Sequence, residues 1–307
     1  MTPTDFQLLA KFLKEQSGLA LAEDKGYLIE SRLVPVARAH GLKSVDDIAA
    51  EVRVGRNKRL MAAVVEAMTT NESFFFRDIK PFEQFKTIVM PQLLARRAAT
   101  KQLRIWSAAC STGQEPYTLA MLLTEASVQL QGWRIEIIGT DIAPGVLAKA
   151  RAGLYSQFEV QRGLPVQMLV KHFSQKAEGW EIAPQLRAMI NFREFNLLSD
   201  MKPLGTFDVV FCRNVLIYFD QPTKADVLTR IRERMKDDGI LYLGGAETVL
   251  GVSDAFRPVN AQRGLYATTD AAGAVWDGAP PIAARPAVQP QESPLPSATV
   301  MRPAARA

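Results

Sequence analysis

Two carboxylates, Glu115 and Asp141, follow apolar runs at positions where residue type and spacing could do chemistry. Glu115 lies in Arg104-Ile105-Trp106-Ser107-Ala108-Ala109-Cys110-Ser111-Thr112-Gly113-Gln114-Glu115-Pro116-Tyr117, which reads as a buried strand, a small-residue turn and a helix beginning at Pro116. Proline suits a first helical position, where its missing N–H would have no partner anyway. A phosphate cradle at such a helix start needs bare N–H groups and positive charge, so a carboxylate there would repel a pyrophosphate. The ligand expected at this turn carries a cation instead, and S-adenosylmethionine supplies an ammonium and a sulfonium. The plainer alternative is a βα turn whose Glu favours the helix dipole. Asp141 closes the run Ile135-Glu136-Ile137-Ile138-Gly139-Thr140. A carboxylate at the tip of the second strand is where Rossmann-like folds hold a ribose diol, and Asp141 equally suits the N-cap of a helix over Pro144–Ala152.

The elements that must position these groups alternate between strand and helix. After Asp141 and its helix come apolar strands at Ile190–Phe195, Phe207–Cys212 and Ile240–Leu243, and an antiparallel pair at Phe256–Val259 and Gly264–Ala267. This pattern describes a doubly wound α/β sheet. Pro222 opens a helix through Val227, Leu228, Ile231 and Met235, which Gly239 is expected to close. Between Gly153 and Lys176 no strand stands out and Phe158–Pro165 reads as irregular, whereas Phe173 to Ile190 suggests a hairpin turning at Lys176-Ala177-Glu178-Gly179.

The N-terminal stretch reads differently. Phe6, Leu9, Phe12 and Leu13 share a helical face that Thr2-Pro3 or Thr4 opens and Ser17-Gly18 closes. A second helix follows to Gly41, in which Pro35 must act as a kink or break. Ser44-Val45-Asp46-Asp47 is a capping box with Asp for Glu, and Leu60, Val64 and Met68 mark a further short helix. In Thr69-Thr70-Asn71-Glu72-Ser73-Phe74-Phe75-Phe76-Arg77-Asp78, three phenylalanines must bury, and the expected place is between the helical module and the sheet domain. Arg77 would then point into the cleft, unless the stretch is only a hinge. The domain expectation is a helical domain over 1–70, a linker and connecting helix over 71–100, and a ligand-binding domain over 101–269 with a β insertion at about 155–190. Pro and Ala dominate 270–307, which is expected to be a disordered tail.

Bulk properties exclude several classes. The 307 residues are 48% hydrophobic, enough for a full core and two domains, and no run nears the roughly 20 apolar residues of a membrane span. Met1–Asp5 lacks the features of a signal peptide, so a cytoplasmic protein is expected. Cys110 and Cys212 cannot form a disulfide framework, and with only His40 and His172 no metal cluster is expected. Lys25–Leu60 holds eight basic residues against four acidic ones. That stripe suits an acidic partner, a solvated surface or nucleic acid.

Taken together, the chain resembles the chemotaxis receptor glutamate methyltransferases of the CheR family over roughly residues 4 to 268. The resemblance rests on Thr70-Asn71-Glu72-Ser73-Phe74-Phe75-Phe76-Arg77, on Trp106 through Tyr117, on Thr140-Asp141-Ile142, and on Phe211-Cys212-Arg213-Asn214-Val215-Leu216-Ile217-Tyr218-Phe219-Asp220. It implies a class I SAM-dependent methyltransferase domain, Rossmann-like and doubly wound, with a small N-terminal all-helical domain and an inserted β subdomain. It implies S-adenosylmethionine as donor, S-adenosylhomocysteine as product, no metal, and glutamates on the cytoplasmic signalling helices of chemoreceptors as acceptors.

By position the resemblance assigns donor binding to Asn71, Ser73, Arg77, Glu115, Asp141, Asn196, Leu197, Arg213 and Asn214, and puts Arg77 and Tyr218 nearest the transfer. Ser73 stands where many relatives have Thr, and its hydroxyl can do the same work. A glutamate with a pKa of about 4.3 is already a nucleophile at neutral pH, so no general base is needed. The basic stripe, with Arg32, Arg38, Arg53, Arg56, Lys58 and Arg59, is expected to dock the acidic receptor surface. The short loop at Lys176–Gly179 leads us to expect no need for a receptor C-terminal pentapeptide tether. A monomer without nucleic acid or membrane insertion completes the expectation. Two other readings stay open: a sensor of S-adenosylmethionine or its product, and an RNA or small-molecule methyltransferase, the latter lacking an aromatic base platform.

Overall fold

The computed structural model describes residues 1–269 and Trp276. Four helices come first: α1 (Pro3–Ser17), α2 (Gly26–Ala39), α3 (Val45–Val54) and α4 (Lys58–Met68). Their ends follow local chemistry. The Thr2 hydroxyl accepts from Asp5 N at 3.2 Å, and Gly18 leaves α1 at φ 81 with its N–H on Lys14 O. Ser44 and Asp47 make the reciprocal capping box of α3. The apolar faces, including Leu9, Leu13, Ile29, Leu33, Ile48, Leu60 and Val64, close one core of fully buried side chains. Pro35 does not interrupt α2, which runs on to Ala39. Packing of Leu33 and Ala37 on either side of it outweighs the lost hydrogen bond.

A connecting helix follows as α5 (Lys80–Gln84), one π turn over Phe85–Val89, and α6 (Met90–Arg96). The widened turn, with Met90 N on Phe85 O, falls just before Pro91, which has no N–H to continue the α pattern. Then come β1 (Gln102–Ala108), α7 (Gln114–Glu125), β2 (Arg134–Asp141), α8 (Pro144–Ala152), β3 (Leu154–Tyr155), α9 (Gln157–Gln161), α10 (Val166–His172), β4 (Phe173–Lys176), β5 (Gly179–Ile182), α11 (Pro184–Ala188) and β6 (Ile190–Glu194). The chain continues through β7 (Phe207–Cys212), α12 (Gln221–Glu233), β8 (Met235–Leu243), β9 (Phe256–Pro258) and β10 (Leu265–Thr268).

The main sheet has the order β6-β2-β1-β7-β8-β10-β9, parallel through β8 and antiparallel at β10 and β9. Alternation along the strands fills both faces. Ile105, Ile137, Val209, Phe211 and Ile240 pack in one layer, and Trp106, Ile138, Val210, Cys212 and Leu241 in the other. The chain reverses direction of winding at β1, between β2 and β7. In such sheets ligands bind outside the carboxyl ends of the strands at that switch point.

Four sequence expectations change. The hairpin β4–β5 is present, but β3 joins it in a three-stranded sheet ordered β3-β5-β4. The stretch read as irregular contains α9, opened by a capping box of Ser156 and Glu159. Met235 and Gly239 belong to β8 rather than to α12, because Met235 pairs with Phe207 and Gly239 lies at the register shift between Phe207 and Val209. A side chain at Gly239 would come within 2.9 Å of Lys236 O, so the residue serves strand pairing, not helix termination. Phe75, finally, does not bury against the helical module. It is fully buried against Tyr155 and Phe173, at 5.0 and 5.5 Å between ring centroids, and locks the chain entering the sheet onto the small sheet. The tail expected to be disordered lies outside the described residues except at Trp276, which is buried with Nε1 donating to Asp238 O at 2.9 Å.

Candidate active site

The turn leaving β1 carries Ala109, Ser111 and Gly113 at φ 58, 51 and 92. Such alternation tightens the turn, and its amides are claimed by the neighbouring strand. Cys110 N donates to Thr140 O at 2.8 Å and Ser111 N to Asp141 Oδ2 at 2.8 Å. Gly113 is required twice over, since a Cβ would stand 2.9 Å from Ala150 Cβ and φ is left-handed.

Asp141 is nearly buried, with Oδ1 accepting from Ala143 N at 3.0 Å. Burial pushes its carboxyl above the usual range, against the opposing pull of the Ala143 and Ser111 amides. Each oxygen keeps lone-pair capacity toward the cleft, where a donor such as a ribose diol would stabilise the carboxylate. Asp141 is not the N-cap of α8. Ala143 holds that position, and Glu66 of α4 reaches across to accept from Gly145 N at 2.8 Å.

Glu115 accepts from Ser107 Oγ at 2.8 Å through Oε1 and from Arg213 Nη1 at 2.8 Å through Oε2. Arg213 Nη2 goes on to Arg77 O at 2.9 Å and Asp78 Oδ2 at 2.6 Å. Its side chain is 1% exposed, and its Nε has no partner among the described residues. The turn it grips is strained: Phe76, Asp78 and Ile79 all have positive φ, and Ile79 is β-branched. Arg213 therefore joins the carboxylate of the β1 turn to the segment that presents Arg77. Arg77 itself lies over the Phe74 ring at 5.6 Å and donates to Glu72 O at 2.7 Å.

The helical module closes the far wall by contacting the site segments directly. Asn196 Nδ2 donates to Gln16 O at 2.6 Å and Ala20 N to Tyr218 O at 2.9 Å. Lys14 pairs with Asp220 at 2.7 Å, and the Phe219 ring packs so close to Gly18 that a Cβ there would come within 2.8 Å. On the opposite side Ser111 Oγ donates to Asn71 O at 2.7 Å.

One cleft is lined by all of Asn71, Ser73, Arg77, Glu115, Asp141, Asn196, Leu197, Arg213, Asn214 and Tyr218. It also takes in Leu19, Met68, Ser111, Ile142, Phe195 and Phe219, which sequence reasoning did not single out as site residues. Ile142 and Phe195 adjoin residues that were singled out. Leu19 and Met68 gave no signal beyond that of helical-module apolar residues.

The basic stripe lies outside the cleft lining. Arg38, Arg53, Arg56, Lys58 and Arg59 are exposed, whereas Arg32 donates to Met68 O, Thr69 O and Thr70 Oγ1 and so caps the end of α4. Arg53 pairs with Asp5 at 3.0 Å. Lys58 and Arg59 sit in the first turn of α4, the end of a helix that disfavours cations. Burial pushes both Cys110 and Cys212 thiols well above their usual range, which argues against a nucleophilic thiolate. Among the described residues no cluster of His, Cys, Asp and Glu could hold a metal.

Residues 71–265 match the family model described as CheR methyltransferase, SAM binding domain, and residues 4–69 match CheR methyltransferase, all-alpha domain. The chain is 40% identical over 265 residues to chemotaxis protein methyltransferase 1 of Pseudomonas aeruginosa, covering 85% of this chain and 96% of the relative. It is 38% identical to chemotaxis protein methyltransferase Cher2 of Pseudomonas putida over the same shares. Identity to chemotaxis protein methyltransferase 1 of Vibrio cholerae is 37%, covering 85% of this chain and 95% of the relative.

Proposed function

Since the chain belongs to the CheR methyltransferase family, and so is an S-adenosylmethionine-dependent methyltransferase, we propose that it esterifies glutamate side chains on the cytoplasmic helices of chemoreceptors. The observation carrying this reading is the single cleft that collects two carboxylates, Glu115 and Asp141, with Arg77 and Tyr218 on its wall. The residues present fit the donor: Asp141 keeps acceptor capacity for a diol, and Glu115, which shares Arg213 with Asp78, leaves net negative charge for a cationic group. When bound, the donor supplies an electrophilic methyl group on a positively charged sulfur.

The chain's own residues do the rest. Asn71, Ser73, Asn196, Leu197, Arg213 and Asn214 line the donor side, while Arg77 and Tyr218 orient the acceptor carboxylate for in-line attack. No proton needs removing, because a glutamate carboxylate is ionised at neutral pH. Full neutralisation by Arg77 would weaken the nucleophile, so its role is orientation, and the rate gain comes from proximity and from water exclusion by Leu19, Met68 and Phe219. The reading includes a monomeric cytoplasmic enzyme, S-adenosylhomocysteine as product, no metal, and the domain division at 70, 100 and 269. Among the described residues no helix is long and apolar enough to cross a membrane.

Exposed Arg38, Arg53, Arg56, Lys58 and Arg59 are the proposed steering surface for acidic receptor helices. The β4–β5 connection has only Ala177 and Glu178 between paired Lys176 and Gly179, which supports independence from a receptor C-terminal tether. Calorimetry against such a pentapeptide should give no heat, and clear binding would end that part of the reading. The main test is transfer of labelled methyl to purified receptor cytoplasmic fragments. Alkali-labile label on glutamate, lost in Arg77→Ala, is the expected result. Donor binding with no label on receptor would point instead to a sensor or another acceptor.

A further inference from the structure

Four backbone N–H groups converge on one side-chain carboxylate outside the cleft lining. Glu247, in the turn after β8, accepts through Oε2 from Asn214 N at 2.8 Å and Gly244 N at 2.6 Å. Through Oε1 it accepts from Val215 N at 3.0 Å and Ile217 N at 3.2 Å. Three of these donors belong to the segment Arg213–Tyr218, which presents Arg213, Asn214 and Tyr218 to the cleft. Asn214 within it has φ 60, the left-handed region that asparagine tolerates better than other residues with a side chain, and its amide is one of those Glu247 accepts. Gly244 makes room for the arrangement. A Cβ there would stand 2.7 Å from Glu247 Oε2, 2.7 Å from Asn214 Nδ2 and 2.9 Å from Asn214 N.

We infer that Glu247 is a positioning residue for methyl transfer, holding the Arg213–Tyr218 segment in its working shape by accepting amides that the segment's irregular backbone cannot pair. The inference rests on the methyltransferase reading. A carboxylate is the side chain that offers acceptors at both ends, and charge-assisted bonds to N–H groups are the stronger kind. Glutamine has the same shape but turns an NH2 toward two of the amides. Asn214 then leaves the left-handed region, and Arg213 loses its aim at Glu115 and at the Arg77 carbonyl. Glu247 acts through these residues and touches no reacting atom.

The test uses full-length Glu247→Gln and, independently, Gly244→Ala, which keeps the charge but crowds the carboxylate. Affinity for S-adenosylhomocysteine by calorimetry, kcat/KM on receptor fragments, and melting temperature are read for each. Both variants should remain folded while donor-product affinity falls about ten-fold or more. Combining Glu247→Gln with Tyr218→Phe should lower kcat/KM by much less than the product of the single losses, because the first change already misplaces Tyr218. Wild-type affinity in both variants, or fully multiplicative losses, would overturn the inference. The affinity measurement needs no acceptor, so it decides the role of Glu247 even if the receptor substrate proves wrong.

Discussion

Strand β7 carries a buried charge at each end, and the two ends behave differently. At its start Asp208 is fully buried, pairing with Arg97 Nε and Lys236 Nζ at 2.8 Å each and accepting from Arg104 N at 2.8 Å. Arg97 also holds Asp238, and the Trp276 indole covers the group under the Arg96 guanidinium at 4.2 Å. At its exit Arg213 is just as buried and just as paired, yet it lines the cleft, keeps an Nε unpartnered among the described residues, and grips a turn with three left-handed residues. Buried ion pairs alone therefore do not mark a site. Strain and a cavity beside the pair set the Arg213 end, proposed as the working one, apart from the Asp208 end.

Breaking the working end should have the largest effect. Arg213→Gln leaves Glu115 and Asp78 without their cation and frees the turn behind Arg77, so kcat/KM should fall about 100-fold or more, as losses at preorganised groups do. A variant within a few-fold of wild type in a receptor methylation assay would equate the two ends. Asp208→Ala should do the converse. It takes the buried partner from Lys236, from Arg97 Nε and from the Arg104 amide, leaves Arg97 with Asp238 alone, and costs about 1.5–3 kcal/mol of stability by denaturant titration, while kcat/KM per folded molecule stays near wild type. Loss of activity in the folded fraction would dissolve the distinction.

A smaller effect is expected at the contact between α1 and the segment after Tyr218. The Lys14 ammonium, with the Thr223 hydroxyl and amide, draws the Asp220 carboxyl down to about 2 from 3.8. The folded value lies below the unfolded one. The contribution is therefore full above 3.8 and is lost as pH falls through about 2. Lys14→Ala should shift acid unfolding, followed by far-UV circular dichroism, to higher pH, and an unchanged curve would mean that this contact adds nothing to acid stability. The smallest effect belongs to the surface. Lys58→Glu with Arg59→Glu should raise KM for receptor a few-fold and flatten its salt dependence without touching donor affinity, as exposed charges do. A parallel loss of donor affinity would tie the stripe to the cleft instead.

Local pattern was enough for much of this molecule. The caps at Thr2, Gly18 and Ser44, the strand–turn–helix around Gly113, and Glu115 and Asp141 as cleft residues all follow from residue type and period, because hydrogen bonds and steric limits within a few residues decide them. Local pattern misled where pairing overrode it. Gly239 resembles a helix stop but serves a strand irregularity, and Pro35 resembles a break but sits inside a packed helix.

What remained for the tertiary structure is the set of contacts between residues far apart in the chain. Glu115 meets Arg213 across 98 positions, Asn196 meets Gln16 across 180, and Glu247 finds three of its four amides 30 to 33 positions away. Sequence determined that one carboxylate would stand at the tip of β2 and another at the start of the helix after β1, because period and turn chemistry are local. Only the folded sheet decided which cation faces each one, which backbone is held under strain, and which helices close the cleft, since those depend on strand order and packing that no local spacing encodes.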